Sequence, residues 1–319
     1  MVNVPGIFYS GAVAIIVVVL ALHLVSYMDA VRTQSEAVSI RIRTNELANF
    51  MEAITLDMPR AVDISSRRAL VAAINEVDVR GSGLDDAQFR LYELVINGTI
   101  YGIPSYWMNA STVPNWAQRV EQIGATRGFI TNISLEEFSI LPYDSFDLMA
   151  HMQWSVNVTE STGKMSVHRY YNTTVIIPIT GFDDPLYTLQ THGLAKRKII
   201  RSNFTTYNLT YFDIVVGEGL YVNRSEAPSF LDRLENNLVV PSKYNLQTGS
   251  QIGLESVVNV VELANYDIAV NLNQTMIDHL YFGDVNITSY AVNGSEYDWV
   301  RIDQEHADFY NLGGLLVPG

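Results

Sequence analysis

The chain contains no cysteine, which excludes a disulfide framework, a thiol nucleophile and a Cys-ligated zinc or iron–sulfur site. Small exported proteins commonly lean on disulfides, so an exported chain without them has to be held by core area and sheet pairing. Also missing are a phosphate-binding loop, a dinucleotide-binding glycine pattern, a G-x-S-x-G elbow and an H-E-x-x-H pair, so the expectation is a protein that is not an enzyme. Basic residues are short too. Twenty Lys and Arg stand against 34 Asp and Glu, a net charge of −14, which argues against nucleic acid and anionic membrane surfaces as partners. What the chain does have is apolar bulk: 48% apolar residues and a mean hydropathy of +0.10 exclude disorder.

Much of that bulk comes first. From Ile7 to Met28 the sequence reads IFYSGAVAIIVVVLALHLVSYM, without Asp, Glu, Lys or Arg, and at the helical rise it reaches about 33 Å, enough to cross a bilayer. A cleaved secretory signal is the competitor, but it wants a basic start, a shorter apolar core and a small-residue cleavage site. Nothing basic precedes this run. The run therefore predicts an uncleaved transmembrane anchor over residues 1–28, with the lipid bilayer as partner. Ser10, Gly11 and Ala14 would let a second helix approach closely, although small residues are equally tolerated against lipid.

Helical spacing continues beyond the span. Ile40, Leu47, Met51, Ile54 and Met58 recur at intervals of 7, 4, 3 and 4 among charged residues, which predicts a stalk helix over 29–59 that Pro59 breaks. A second helix is expected over Ala61–Val79, a third over Leu84–Asn97 opened by Asp85 or Asp86, and a fourth after Ser111–Pro114 with Gly128 past its end.

Then the period changes to two. In Phe146–Thr159 the even positions are apolar, and in Lys164–Thr180 the odd ones are. A four-residue turn pairing Thr159 with Lys164 would bring both apolar faces together in an antiparallel hairpin, with Arg169 opposite Trp154. Further on, Thr206–Val216 reads as a strand, Ser225–Asn237 as a capped helix, and Met276–Phe282 and Ser289–Val300 as short strands or loops. The expected fold is α+β: anchor 1–28, stalk 29–59, helices plus hairpin 60–190, and a mixed C-terminal layer 191–319.

The strongest functional signal is the glycosylation triplet Asn-x-Ser/Thr. With 23 Asn and 43 Ser plus Thr, chance predicts about 3. The chain holds eleven, at Asn97, Asn109, Asn132, Asn157, Asn172, Asn203, Asn208, Asn223, Asn273, Asn286 and Asn293. None lies in the first 96 residues, so the enrichment is regional, and N-linked glycans are expected on a part of the chain outside the cell. Orientation carries a conflict. Arg32, Arg41 and Arg43 follow the span, and the positive-inside rule alone would hold them in the cytoplasm. Eleven acceptors outweigh three arginines, so the expectation is a cytoplasmic N-terminus and an extracellular remainder.

Two acidic clusters are candidate calcium ligands: Asp183 and Asp184 in GFDDPLY, and Asp303, Glu305, His306 and Asp308 in RIDQEHADFY. Both are also ordinary turn and helix-start chemistry.

Several stretches together, among them DISSRRALVAAINEV, NWAQRVEQIGATRGFITNISLEEFSILPYDSF, ITGFDDPLYTL, PSFLDRLENNL, GLESVVNVVEL and MIDHLYFGD, resemble a group of archaeal exported, pilin-like, membrane-anchored proteins of unknown activity. The resemblance spans most of residues 60–310 and implies a cell-surface location, N-glycosylation and a hydrophobic helix leading into an antiparallel sheet. It carries over no catalytic residue. It also departs from pilin precursors, which have a basic leader and an early Glu in the apolar helix, since no basic residue precedes Gly6 and no acidic one falls between Ile7 and Met28. Three functions follow: a structural subunit that packs through the N-terminal helix with copies of itself or related chains in a filament or envelope assembly, a monomeric tethered binding protein, or an ectoenzyme using carboxylates gathered by the fold.

Overall fold

The apolar run and the segments behind it form one helix, α1 (Val4–Arg80), of 77 residues, about 115 Å long at the standard rise. The structure, a computed structural model, describes residues 4–244 and 251–318. Residues 1–3 of the expected anchor, and 245–250 and 319 of the expected C-terminal layer, lie outside the described residues. Pro59 sits inside α1, which corrects the expected break and merges the separate helix expected over Ala61–Val79. An internal proline forfeits the bond to the carbonyl four residues back, here Thr55, at a cost of about 3 kcal/mol. Burial on both sides offsets that cost, because Met58 and Val62 are fully buried and Ile54 and Ala61 nearly so.

Local signals set the next two helices as expected. Asp86 accepts a hydrogen bond from Phe89 N (2.9 Å) to open α2 (Ala87–Asn97), and Gly98, at φ 71°, closes it. Thr112 caps α3 (Val113–Thr126), and Gly128 follows its end at φ 77°.

The main sheet has three antiparallel strands, β3 (Phe129–Pro142), β4 (Asp147–Glu160) and β5 (Ser166–Pro178), preceded by a two-residue pair, β1 (Thr99–Ile100) with β2 (Ile103–Pro104). β4 is central. β4 and β5 are the expected hairpin and carry the expected faces: Leu148, Ala150, Met152, Trp154, Val156 and Val158 are buried on one side, with Thr173 and Ile177 opposite. The register differs by two residues. Thr159 faces Ser166 rather than Lys164, because the Glu160 carbonyl and carboxylate take N–H bonds from Gly163 and Thr162 and lengthen the turn. Trp154 therefore meets Tyr171, stacked at 4.7 Å, and Arg169 faces Val156, so the expected Arg169–Trp154 contact does not form. β3 has no counterpart in the expected elements.

Residues of α1 from Leu47 onward pack on the inner face of this sheet, with Phe50 stacked on Phe129 at 5.5 Å. α3 lies so close to β3 that a side chain at Gly124 would run into Thr131 and Phe50.

The C-terminal layer is helical where a strand was expected: α5 (Leu209–Glu218) replaces the strand over Thr206–Val216. Asn208 caps it by accepting from Tyr211 N (2.9 Å), and Phe212, Val215 and Val216 bury one face, so capping and a 3.6-residue period override β-branched composition. α4 (Pro185–Gln190) precedes it and α6 (Phe230–Leu234) follows. α6 is much shorter than the helix expected over Ser225–Asn237, because the capping box is Ser229 with Asp232 and Pro228 stands before it. Met276–Phe282 contains a short helix, Asp278–Phe282, and Ser289–Val292 is the centre of a small sheet between Arg301–Asp303 and Leu316–Pro318. One hydrophobic cluster runs from Leu47 to Leu312. The fold is α+β.

Pro59→Ala restores a donor for the Thr55 carbonyl, while giving back about 0.5–1 kcal/mol through a freer unfolded chain. The variant is expected to gain about 2 kcal/mol in denaturant unfolding of the detergent-solubilised chain; an unchanged midpoint would show that α1 carries no penalty at Pro59.

Candidate functional site

Every residue of α1 from Tyr9 to Ile42 is exposed, and the first buried one is Leu47. Contact with the globular part begins where Arg43 Nη1 donates to the Arg127 carbonyl (3.4 Å) and the Thr44 hydroxyl meets Met165 Sδ (3.2 Å). Among the described residues, one helix is long and apolar enough to cross a membrane, and none of its apolar window is covered by the rest of the chain. Ser10, Gly11 and Ala14 lie in its exposed N-terminal part. Between Met28 and Arg43 stands about 22 Å of bare rod. Along it Met28, Val31, Ser35, Val38 and Ile42 recur at intervals of 3, 4, 3 and 4, and the four apolar members are exposed. The set that enters the core begins at Leu47, five residues after Ile42 and so about 140° around the helix.

The acceptor asparagines all reach the surface. Ten of the eleven are exposed and Asn157 is half-buried, as Asn side chains ordinarily are, so each is placed where a sugar could be attached. Three of them share the outer face of the main sheet: Asn132 directly faces Asn157, and Asn172 lies on β5 opposite Gln153. Asn208 caps α5 through its amide oxygen, leaving Nδ2, the atom that carries a sugar, outside that bond. At Asn273 the third residue of the triplet, Thr275, is fully buried and donates to Asp303 (2.9 Å).

The ionisable groups that the fold gathers are buried and paired. Arg233 is fully buried, with Nη1 donating to Asp184 (2.7 Å) and Nη2 to both oxygens of Asp278 (3.1 and 3.0 Å) and to the Leu254 carbonyl. Asp184 also caps α4 and accepts from Tyr221 Oη (2.8 Å), while Asp278 accepts from Ser256 N and Oγ. Burial pushes the Asp184 carboxyl up against the pull of Arg233; at Asp278 burial pulls the same way, but Arg233 and His279 overcome it and hold the carboxyl low. Nearby, His306 Nδ1 bonds Asp303 (2.8 Å), and Nε2 lies 3.3 Å from Glu255 in an ionic contact. Burial disfavours the charged ring, yet Asp303 and Glu255 push it up to about 10, and His306 in turn holds Asp303 down at about 2.

No known protein family, curated protein or solved structure matches this chain. Its chemistry has therefore to be taken from the residues themselves.

The buried cluster is closed. The surface clefts around Trp107, Asn97, Arg201, Arg169 and Arg127 are lined by none of its ionised groups, and among the described residues the other ring nitrogen of His306 meets the Glu255 carboxylate and no hydroxyl. Of the candidate metal ligands, Asp184 neutralises Arg233, Asp303 caps the helix Gln304–Phe309 and holds His306, Glu305 pairs with Arg224 (2.8 Å), and Asp308 accepts from Gln304 (2.8 Å). Asp183 pairs through its backbone with Lys198. Among the described residues no group of three or more His, Asp or Glu is arranged to hold a metal ion. No local pattern in the sequence joins Arg233 to Asp278 and Glu255, which lie 45 and 22 positions further on.

The pH dependence follows from His306. A folded pKa raised from about 6.5 to about 10 means that its stabilisation is fully present below pH 6.5 and fades as pH rises to about 10. The stability gap between the parent chain and His306→Gln is thus expected to be widest near pH 6 and to close by pH 10; a gap independent of pH would show a neutral ring.

Proposed function

We propose that the protein is a membrane-anchored, N-glycosylated cell-surface protein of pilin-like plan, without catalytic activity, that serves as a structural subunit of a surface filament or envelope assembly. On this reading the apolar run lies in the bilayer with the N-terminus in the cytoplasm, and everything beyond Met28 is outside the cell. The observation that carries it is the stripe Met28, Val31, Val38 and Ile42 on the bare rod. Apolar side chains on a solvated helix leave water only against another surface, and alternating intervals of three and four fit a parallel neighbouring helix. In such a pair Arg41 and Glu46 occupy the flanking positions at which a cation of one helix meets an anion of the next. The eleven surface acceptors support the extracellular placement, since unmodified Asn needs no such enrichment there.

A second reading, a monomeric tethered binder, is favoured by one feature: Ile103, Tyr106 (86% exposed) and Trp107 form an apolar tip of the kind that marks interaction surfaces.

The absence of native cysteine makes the two readings easy to separate. Val38→Cys, in the stripe, is expected to give disulfide-linked dimers in membranes under mild oxidation, whereas Thr33→Cys, on the opposite side of the rod, is not. Equal, weak cross-linking at both positions would favour the lone tether. Intact mass of the purified protein is expected to exceed that of the polypeptide by several glycans, all mapping to Asn97 and beyond; an unmodified mass would overturn the extracellular placement.

A further inference from the structure

We infer that Tyr170, on the outer face of the main sheet, is a stacking platform for the first pyranose of a glycan carried by Asn172; the inference rests on the glycosylated-surface reading above. Tyr170 is 70% exposed, in the middle of β5 and two residues before Asn172. Residues two apart on a strand point to the same side about 7 Å apart, within reach of an Asn-linked sugar bending back along the strand. One face of a pyranose is lined by axial C–H groups, and it sheds water by lying flat on an aromatic ring, as other amphipathic partners do.

The surroundings leave room for this. Across the sheet Tyr170 faces Ser155, which in turn faces Ser134, so small side chains flank the ring on that row. His168, on the same face, meets it at 4.7 Å with the planes 83° apart, and this edge contact fixes the ring's attitude. His168 faces Asn157, and Asn157 faces Asn132, so two further acceptors border the same patch.

Position, not mere neighbourhood, singles out this pair. Two other acceptors have an aromatic residue two places before them. Tyr221 precedes Asn223 but is fully buried. Trp107 precedes Asn109 within and just after a 3-10 turn, Tyr106–Met108, where residues two apart point about 240° apart around the axis. Only at Tyr170 and Asn172 do strand geometry and exposure coincide.

The test uses the full chain from its glycosylating host, with Asn172 occupancy read by peptide mapping and thermal midpoint measured in detergent. Tyr170→Ala and Asn172→Gln are each expected to lower the midpoint by about 2–4 °C, the double variant no further than either alone, and Tyr170→Phe not at all because the ring remains. Additive losses, or an unchanged midpoint in Tyr170→Ala while Asn172 carries sugar, would overturn the platform and leave the glycosylated surface standing. An Asn172 peptide without sugar would instead remove the glycan at this position, and the platform with it.

Discussion

The structure depends on α1 keeping its backbone hydrogen bonds inside one unbroken helix while its side chains pass through three environments. A helix is the single-chain solution that satisfies every internal N–H and C=O regardless of solvent. The side chains then have only to match what surrounds them: apolar all round from Tyr9 to Met28, mixed along the bare rod, and one-sided from Leu47, where the core begins. Pro59 is tolerated because by that point Ile54, Met58 and Val62 are already buried, and packing outweighs the missing bond.

Without disulfides, the C-terminal layer needs another device to hold its short pieces in register. Arg233 supplies it. Its guanidinium joins α4 through Asp184, the strand Leu254–Glu255 through a carbonyl, and the helix Asp278–Phe282 through Asp278, so four segments share one buried ion. Such a cluster adds little net stability over apolar packing, but removing one partner strands the others at a cost of about 3–5 kcal/mol. Its value is therefore in specifying one arrangement among short elements that propensity alone leaves undecided.

What could be read from the sequence follows from the range of the forces involved. β4 is legible because every other side chain is buried over a dozen residues, β5 because its odd positions other than Arg169 are less exposed than its even ones, and α2 because Asp86 and Gly98 are local caps. β3 is not, because its pairing shifts between Leu135 and Glu137 and Ile130 lies exposed on the outer face, which interrupts the alternation. α5 reads as a strand because Tyr, Phe, Ile and Val fill it, and only the cap at Asn208 and the close at Gly219 argue for a helix. The acceptor asparagines were legible one by one. That three of them share a sheet face depends on strand pairing, and no local pattern announces it.

Geometry also constrains any side-by-side arrangement of rods. Helices in a seam run about 8–10 Å apart, far closer than two globular parts can approach. The bare stretch from Met28 to Arg43 relieves part of that conflict by length. The rest is relieved by angle, because the face that enters the core at Leu47 lies about 140° from the Met28–Ile42 stripe, so two parallel rods meeting at their stripes carry their globular parts on outward sides. The sheet's outer face, with Asn132, Asn157 and Asn172, is the one turned away from α1, and the first 96 residues hold no acceptor at all. Sugar on those asparagines would thus cover the outside of the proposed assembly and leave the seam bare.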